Sequence, residues 1–176
     1  MKIAFLDRDG TINKSCWTPV DREGGPEYWN GSEEPELLPG TLEGIRHLIA
    51  CGYKIIIITN QYPIGEGQVT QAFYDRYMDR LLSLLKEGGA EVLDVFFCPH
   101  RRDEGCECCK PRTGMIRQAL KKYPQIDMSR SFFAGDSAAD EGVARAANLP
   151  FYGVRRDCER RIESLRDLTF LISDAD

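Results

Sequence analysis

The chain has 176 residues, 42% of them hydrophobic, and a formal net charge of −5. That length fits one compact domain, 1–176, with enough apolar residue for a core, which excludes a disordered or low-complexity chain. The negative balance supplies no basic field for nucleic acid or anionic membrane, and no apolar run approaches the ~18 residues that span a bilayer.

Lys2 to Leu6 reads as a first strand running straight into the charges of Asp7-Arg8-Asp9. That pattern lacks a signal-peptide core and predicts a soluble, cytoplasmic protein, with a monomer as the default. Residues 14–38 show no period and are rich in Gly, Pro and Glu, so they read as a long loop. Pro39-Gly40 opens a helix with Leu42, Ile45, Leu48 and Ile49 on one face, and Gly52 stops it. Ile55 to Ile58 is an isoleucine run expected of a central strand buried on both faces. Thr70 to Leu85 reads as a helix closed by Gly88-Gly89, and Val92 to Phe97 as a strand. Next come a helix over 113–123, a strand over 131–134, a helix over 138–147 and a strand over 151–154. A last helix at about 158–166 and a short strand over 170–172 complete the prediction. Strands alternating with helices predict an α/β fold, a central parallel sheet flanked by helices, without an internal repeat.

Seven cysteines are present, four of them (Cys98, Cys106, Cys108 and Cys109) within residues 98–109. A secreted disulfide framework spreads its cysteines, whereas clustering in a reducing compartment points to metal. Cys16, Cys51 and Cys158 are scattered and read as small hydrophobes or plain thiols.

In open α/β sheets ligands bind outside the carboxyl ends of the strands, so polar residues there carry the functional information. The first strand ends in Asp7-Arg8-Asp9-Gly10-Thr11. One carboxylate of such a pair can attack phosphorus, and the other can protonate the leaving oxygen and later take a proton from water. Two acids approach a phosphate only with a counter-cation, which calls for Mg²⁺. Alone, the same pair is equally a solvated turn or a calcium-type loop. Thr59-Asn60-Gln61 ends the next strand and offers a hydroxyl and amides to phosphate oxygens. Lys110 follows the cysteine loop and can place positive charge on a transferring phosphoryl group. Asp136, in Gly135-Asp136-Ser137, sits where a metal ligand would arise, with Asp140 one turn on to brace it. Each item alone is ordinary; their order at successive strand ends is not.

These motifs resemble the haloacid dehalogenase superfamily of phosphatases. The resemblance implies Asp7 as nucleophile, Asp9 as general acid/base, and Mg²⁺ held by Asp7, the Asp9 carbonyl and Asp136. It also implies Thr59, Asn60 and Lys110 as the phosphate holders, and no large cap domain. Leu6 to Asn13, Thr59-Asn60-Gln61 and Cys98-Pro99-His100…Cys106-x-Cys108-x-Lys110-Pro111 resemble the D,D-heptose 1,7-bisphosphate phosphatases, and the histidinol-phosphate phosphatases share much of that pattern. The heptose family carries zinc on the cysteine loop. Cys98, His100, Cys106 and Cys108 are the expected ligands, a closed set that suits a structural Zn²⁺, with Cys109 as a competitor for Cys108.

Cys109, Ser137 and Glu66 stand where that family often has basic residues, and Tyr62-Pro63 replaces a small residue and glycine. Such residues contact substrate beyond the transferred phosphate, so the departures bear on which small phosphorylated metabolite is used. Trp17, Tyr28 and Trp29 could wall a pocket for a ring-bearing leaving group or could simply pack the 14–38 loop. Other readings are a histidinol-phosphate phosphatase, a nucleic-acid 3′-phosphatase and a zinc-stabilised binding module with a dead site. The filled catalytic positions speak against the last of these.

Overall fold

The computed structural model describes residues 1–15, 17–19, 27–29 and 34–173. In chain order the elements are β1 (Ile3–Leu6), β2 (Trp17–Pro19), β3 (Glu27–Trp29), α1 (Thr41–Ala50), β4 (Lys54–Asn60), α2 (Tyr62–Gly65) and α3 (Gln71–Glu87). There follow β5 (Asp94–Cys98), α4 (Gly114–Lys122), β6 (Phe132–Gly135), α5 (Ala138–Ala146), β7 (Phe151–Val154), β8 (Arg161–Ile162) and α6 (Leu168–Leu171). Six strands form one parallel sheet in the order β5-β4-β1-β6-β7-β8.

Alternate residues of each strand enter opposite layers, as the two-residue pleat requires. Ala4, Leu6, Ile55, Ile57, Phe132 and Ala134 pack with Ile45 and Leu48 of α1 and Met78 and Leu81 of α3. Ile3, Phe5, Ile56, Ile58 and Phe133 pack with Met115 and Ile116 of α4 and Val143 of α5. The isoleucine run is thus covered on both sides, as expected of a parallel sheet. Thr70 caps α3 by accepting from the Phe73 amide, and Ser137 and Asp140 form a capping box at the start of α5.

From β1 the chain crosses to β4 and β5 on one side, then returns to lay β6 on the other. The reversal leaves a crevice above the carboxyl ends of β4, β1 and β6, the usual ligand position in such sheets. Among the described residues no helix is long and apolar enough to cross a membrane.

Two regions depart from the expected elements. Within 14–38, β2 and β3 pair antiparallel, with Trp17 opposite Trp29 and Thr18 opposite Tyr28, so the stretch is not loop throughout. The side chains of Trp17, Tyr28 and Trp29 lie outside the described residues, and with them the proposed aromatic wall. At the carboxyl end the expected helix over 158–166 is absent. Ile162 instead pairs with Val154 and extends the sheet. Ser164 and Asp167 then form a capping box that starts a helical turn, which continues through 168–171 where a strand was expected. Leu165 and Leu168 anchor that turn in the layer that holds α1. The local cap and these two leucines outweigh the strand propensity of Phe170-Leu171-Ile172.

Candidate active site

Asp7 is the first residue beyond β1, and its amide donates to the Ala134 carbonyl of β6 at 2.9 Å. This bond fixes Asp7 over the switch point. The Lys110 Nζ donates to Asp7 Oδ1 at 2.5 Å, to Asp140 Oδ1 at 2.6 Å and to the Ile58 carbonyl at 3.0 Å. All three side chains are buried. Asp136 completes the group: suitable oxygens of Asp7, Asp136 and Asp140 lie within 4.8 Å of one another. Gly10 has φ +79°, and a Cβ there would collide with the Asp136 carboxylate. The motif therefore turns on a glycine so that the β1 and β6 loops can touch.

Three carboxylates and one ammonium leave excess negative charge in a poorly hydrated place. Burial and the Asp140 charge push Asp7 well above the ordinary carboxylate range, against the pull of Lys110. Burial and Asp140 likewise push Asp136 from 3.8 up to about 6. Burial alone would lower Lys110, but Asp140 and Asp7 outweigh it and hold the ammonium above its usual range. A hard divalent cation is the partner such a set of oxygens fits, because it neutralises what Lys110 leaves over.

Asp7, Asp9, Thr59, Asn60, Lys110 and Asp136 line one cavity of about 440 Å³, together with Ser15, Tyr62, Ser137 and Ala139. The expected residues thus meet in one place, but two are arranged differently from the simple expectation. Asn60 uses both ends of its amide on Lys110: Oδ1 accepts from the Lys110 amide at 2.9 Å and Nδ2 donates to its carbonyl at 3.2 Å. It clasps the lysine's backbone while its remaining surface faces the cavity. The Thr59 hydroxyl accepts from Gln61 Nε2 at 2.9 Å. Asp140 sits behind Lys110, its other oxygen taking the Ser137 amide and hydroxyl.

Cys98, His100, Cys106 and Cys108 bring three sulfurs and one ring nitrogen together. The distances are 3.1 Å for Cys108–Cys98, 3.4 Å for Cys98–Cys106, 3.5 Å for Cys108–Cys106 and 3.0 Å for His100 Nδ1–Cys108. A zinc tetrahedron with Zn–S ~2.3 Å and Zn–N ~2.0–2.1 Å has edges of roughly 3.5–3.8 Å, so the donor set fits with slight expansion. Burial raises the Cys98 and Cys108 thiols, whereas at Cys106 hydrogen bonds from the Cys109 backbone and the neighbouring thiols outweigh burial and lower it. Cys109 turns aside, its Sγ 3.4 Å from the Lys110 carbonyl, and is not one of the four.

The match to known proteins covers nearly the whole chain. A family model described as polynucleotide kinase 3 phosphatase matches residues 2–166. A D-glycero-beta-D-manno-heptose-1,7-bisphosphate 7-phosphatase of Pseudomonas putida is 36% identical over 175 residues, 99% of this chain and 94% of the relative. A D-glycero-alpha-D-manno-heptose-1,7-bisphosphate 7-phosphatase of Photorhabdus laumondii is 38% identical over 157 residues, 85% of this chain and 80% of the relative. The crystal structure of D,D-heptose 1,7-bisphosphate phosphatase from B. bronchiseptica, complexed with magnesium and phosphate, superposes with a TM-score of 0.81 at 27% identity over 97% of each chain. A HAD-superfamily hydrolase from Geobacter sulfurreducens shares the fold at a TM-score of 0.61 and 16% identity. The chain belongs to the family of these heptose-bisphosphate phosphatases, with the haloacid dehalogenase fold.

Several residues of this phosphatase's site were not legible in the sequence. Arg8, between the two motif acids, is 1% exposed and donates to Asp9 Oδ2 from Nε at 3.0 Å and Nη2 at 2.6 Å. Gln61 donates to the same oxygen at 3.0 Å. Arg102 of the cysteine loop stacks 3.6 Å from the Tyr62 ring centroid, and Arg155, at φ +52°, donates to the Gly10 carbonyl at 2.6 Å. Charged residues in loops read as solvated, and no local signal marks the three arginines as parts of one site.

Proposed function

We propose that this chain is a Mg²⁺-dependent phosphatase of small phosphomonoesters, a sugar bisphosphate of the D,D-heptose 1,7-bisphosphate type, acting through an aspartyl-phosphate at Asp7. The observation that carries the reading is the buried junction of Asp7 with Lys110, with Asp136 beside it, at the floor of an open cavity on the carboxyl edge of the sheet. The relatives' names supply the sugar bisphosphate. In this reading one domain spans 1–176 as a cytoplasmic monomer, with the cysteine loop 98–109 held by Zn²⁺ on Cys98, His100, Cys106 and Cys108.

Asp7, the Asp9 carbonyl and Asp136 would hold Mg²⁺, which neutralises charge between phosphate and carboxylates when bound. Asp7 Oδ attacks phosphorus in line, the P–O bond to the sugar breaks, and Asp9 gives that oxygen its proton. Asp9 then takes a proton from water as the water attacks the phosphorus of the acyl phosphate, which frees Asp7. Lys110 and Thr59 face the transferring oxygens; Asn60 fixes Lys110 and Asp140 steadies its ammonium.

Phosphate release from heptose 1,7-bisphosphate, histidinol phosphate and a 3′-phosphorylated oligonucleotide, each with Mg²⁺ and with EDTA, tests the proposal. Heptose bisphosphate is expected to turn over best and only with Mg²⁺. The family model favours the oligonucleotide as second reading; preferential release from it would displace the sugar.

A pH dependence follows from the crowded acids. Between the ordinary value of 3.8 and about 6, folded Asp136 keeps a proton that the unfolded chain has released. The folded state binds more protons there, so stability of metal-free protein falls as pH rises through that window. Mg²⁺ requires the ionised form and competes with that proton. Its stabilisation, read as a rise in melting temperature, is expected to be large at pH 7.5 and to shrink as pH drops through about 6.

A further inference from the structure

We propose that Arg8 is a positioning residue for proton transfer, gripping one oxygen of Asp9 so that the other exchanges the proton. The proposal rests on the reading of Asp9 as general acid/base.

An arginine buried this deeply needs compensation, and the compensation here runs to the site. Asp9 Oδ2 receives both Arg8 donors and the Gln61 amide, whereas among the described residues Oδ1 has one long contact, 3.4 Å, from Asn13 Nδ2. Arg8 Nη2 also donates to Gln61 Oε1 at 3.1 Å, so arginine and glutamine brace each other around that oxygen. Behind them the guanidinium packs on α3: Nη1 lies 3.4 Å from the Met78 sulfur, and its carbon lies 5.2 Å from the Tyr77 ring and 5.7 Å from the Tyr74 ring. Tyr77 holds Asn13 as well, accepting from its Nδ2 at 3.1 Å. Helix α3, far from the phosphate in sequence, thereby sets the direction of the Asp9 carboxylate through a planar, always charged fork. A lysine could supply the charge but not the fork.

The test uses Mg²⁺-loaded enzyme and phosphomonoesters of graded leaving-group acidity, from nitrophenyl to alkyl. Nitrophenolate departs without a proton; an alkoxide needs one, and general acid catalysis supplies roughly 10²–10⁴-fold. Asp9→Asn is expected to lower kcat/KM for alkyl esters by that order and to spare nitrophenyl phosphate. Arg8→Met is expected to reproduce the pattern with a loss of about 10²-fold on alkyl esters. The double variant should be no worse than Asp9→Asn, because both act through one carboxylate. Arg8→Lys should fall between, and decides the matter if Arg8→Met does not fold. Equal losses on all esters in the folded Arg8 variants, with Asp9→Asn still selective, would overturn the role of Arg8 and leave the acid/base reading standing. A flat response in Asp9→Asn itself would remove that reading and this proposal together.

Discussion

Lys110→Met is expected to lower the stability of metal-free protein by roughly 3–5 kcal/mol and to abolish turnover, whereas Asp7→Asn abolishes turnover with no loss of stability. The asymmetry follows from the charge count. Lys110 is the ammonium shared by two buried carboxylates, at 2.5 and 2.6 Å, and removing it leaves like charges facing each other. Removing the charge of Asp7 leaves Lys110 paired with Asp140 and relieves the burial cost and the repulsion by Asp140 that already raise Asp7. The methionine's cost should grow with pH, because at low pH the orphaned carboxylates take up protons instead of repelling. Urea unfolding in EDTA at pH 5.5 and 8 measures both effects. A wild-type midpoint for Lys110→Met at pH 8 would show that the bridge carries no weight.

That contrast also shows what the sequence made legible. The carboxyl ends of strands are short, polar and spaced by the βα repeat, so Asp7, Thr59, Lys110 and Asp136 could be ordered along one edge before any coordinates. Ile55 to Ile58 announced a strand covered on both faces because no amphipathic element has such a run. What stayed hidden depends on contacts across the chain. Asn60 reads as a phosphate ligand, yet its amide closes on the Lys110 backbone, a pairing across fifty residues. Nothing in the sequence singles out Arg8, and only α3 laid over β1 makes it a buried strut. At the carboxyl end, Phe170-Leu171-Ile172 has strand composition, but the cap at Ser164 and the seats of Leu165 and Leu168 decide otherwise.

Zinc removal tests the second large dependence. The stretch between the ligand cysteines contains Arg101, Arg102, Asp103, Glu104 and Gly105, all exposed, so it has little core with which to hold its shape. Its fit to the body depends on close approach at two glycines. A Cβ on Gly65 would meet the backbone of Pro99 and Arg101, and one on Gly114 would meet the backbone of Glu107 and Cys108. A metal closing the four donors would supply the folding free energy that the side chains do not. One zinc per chain is expected by metal analysis, with a fall in melting temperature on the order of 10 °C on chelation. Cys98→Ser should lose the metal. Cys109→Ser should keep it, because that sulfur donates to the Lys110 carbonyl and is not one of the four donors brought together. The loss should reach catalysis by a short route: Cys108 is two residues from Lys110, whose peptide Asn60 can clasp only while the loop is seated. Zinc-free protein supplied with Mg²⁺ should therefore lose turnover before its sheet unfolds, and a zinc-free protein of full activity would separate the loop from the site.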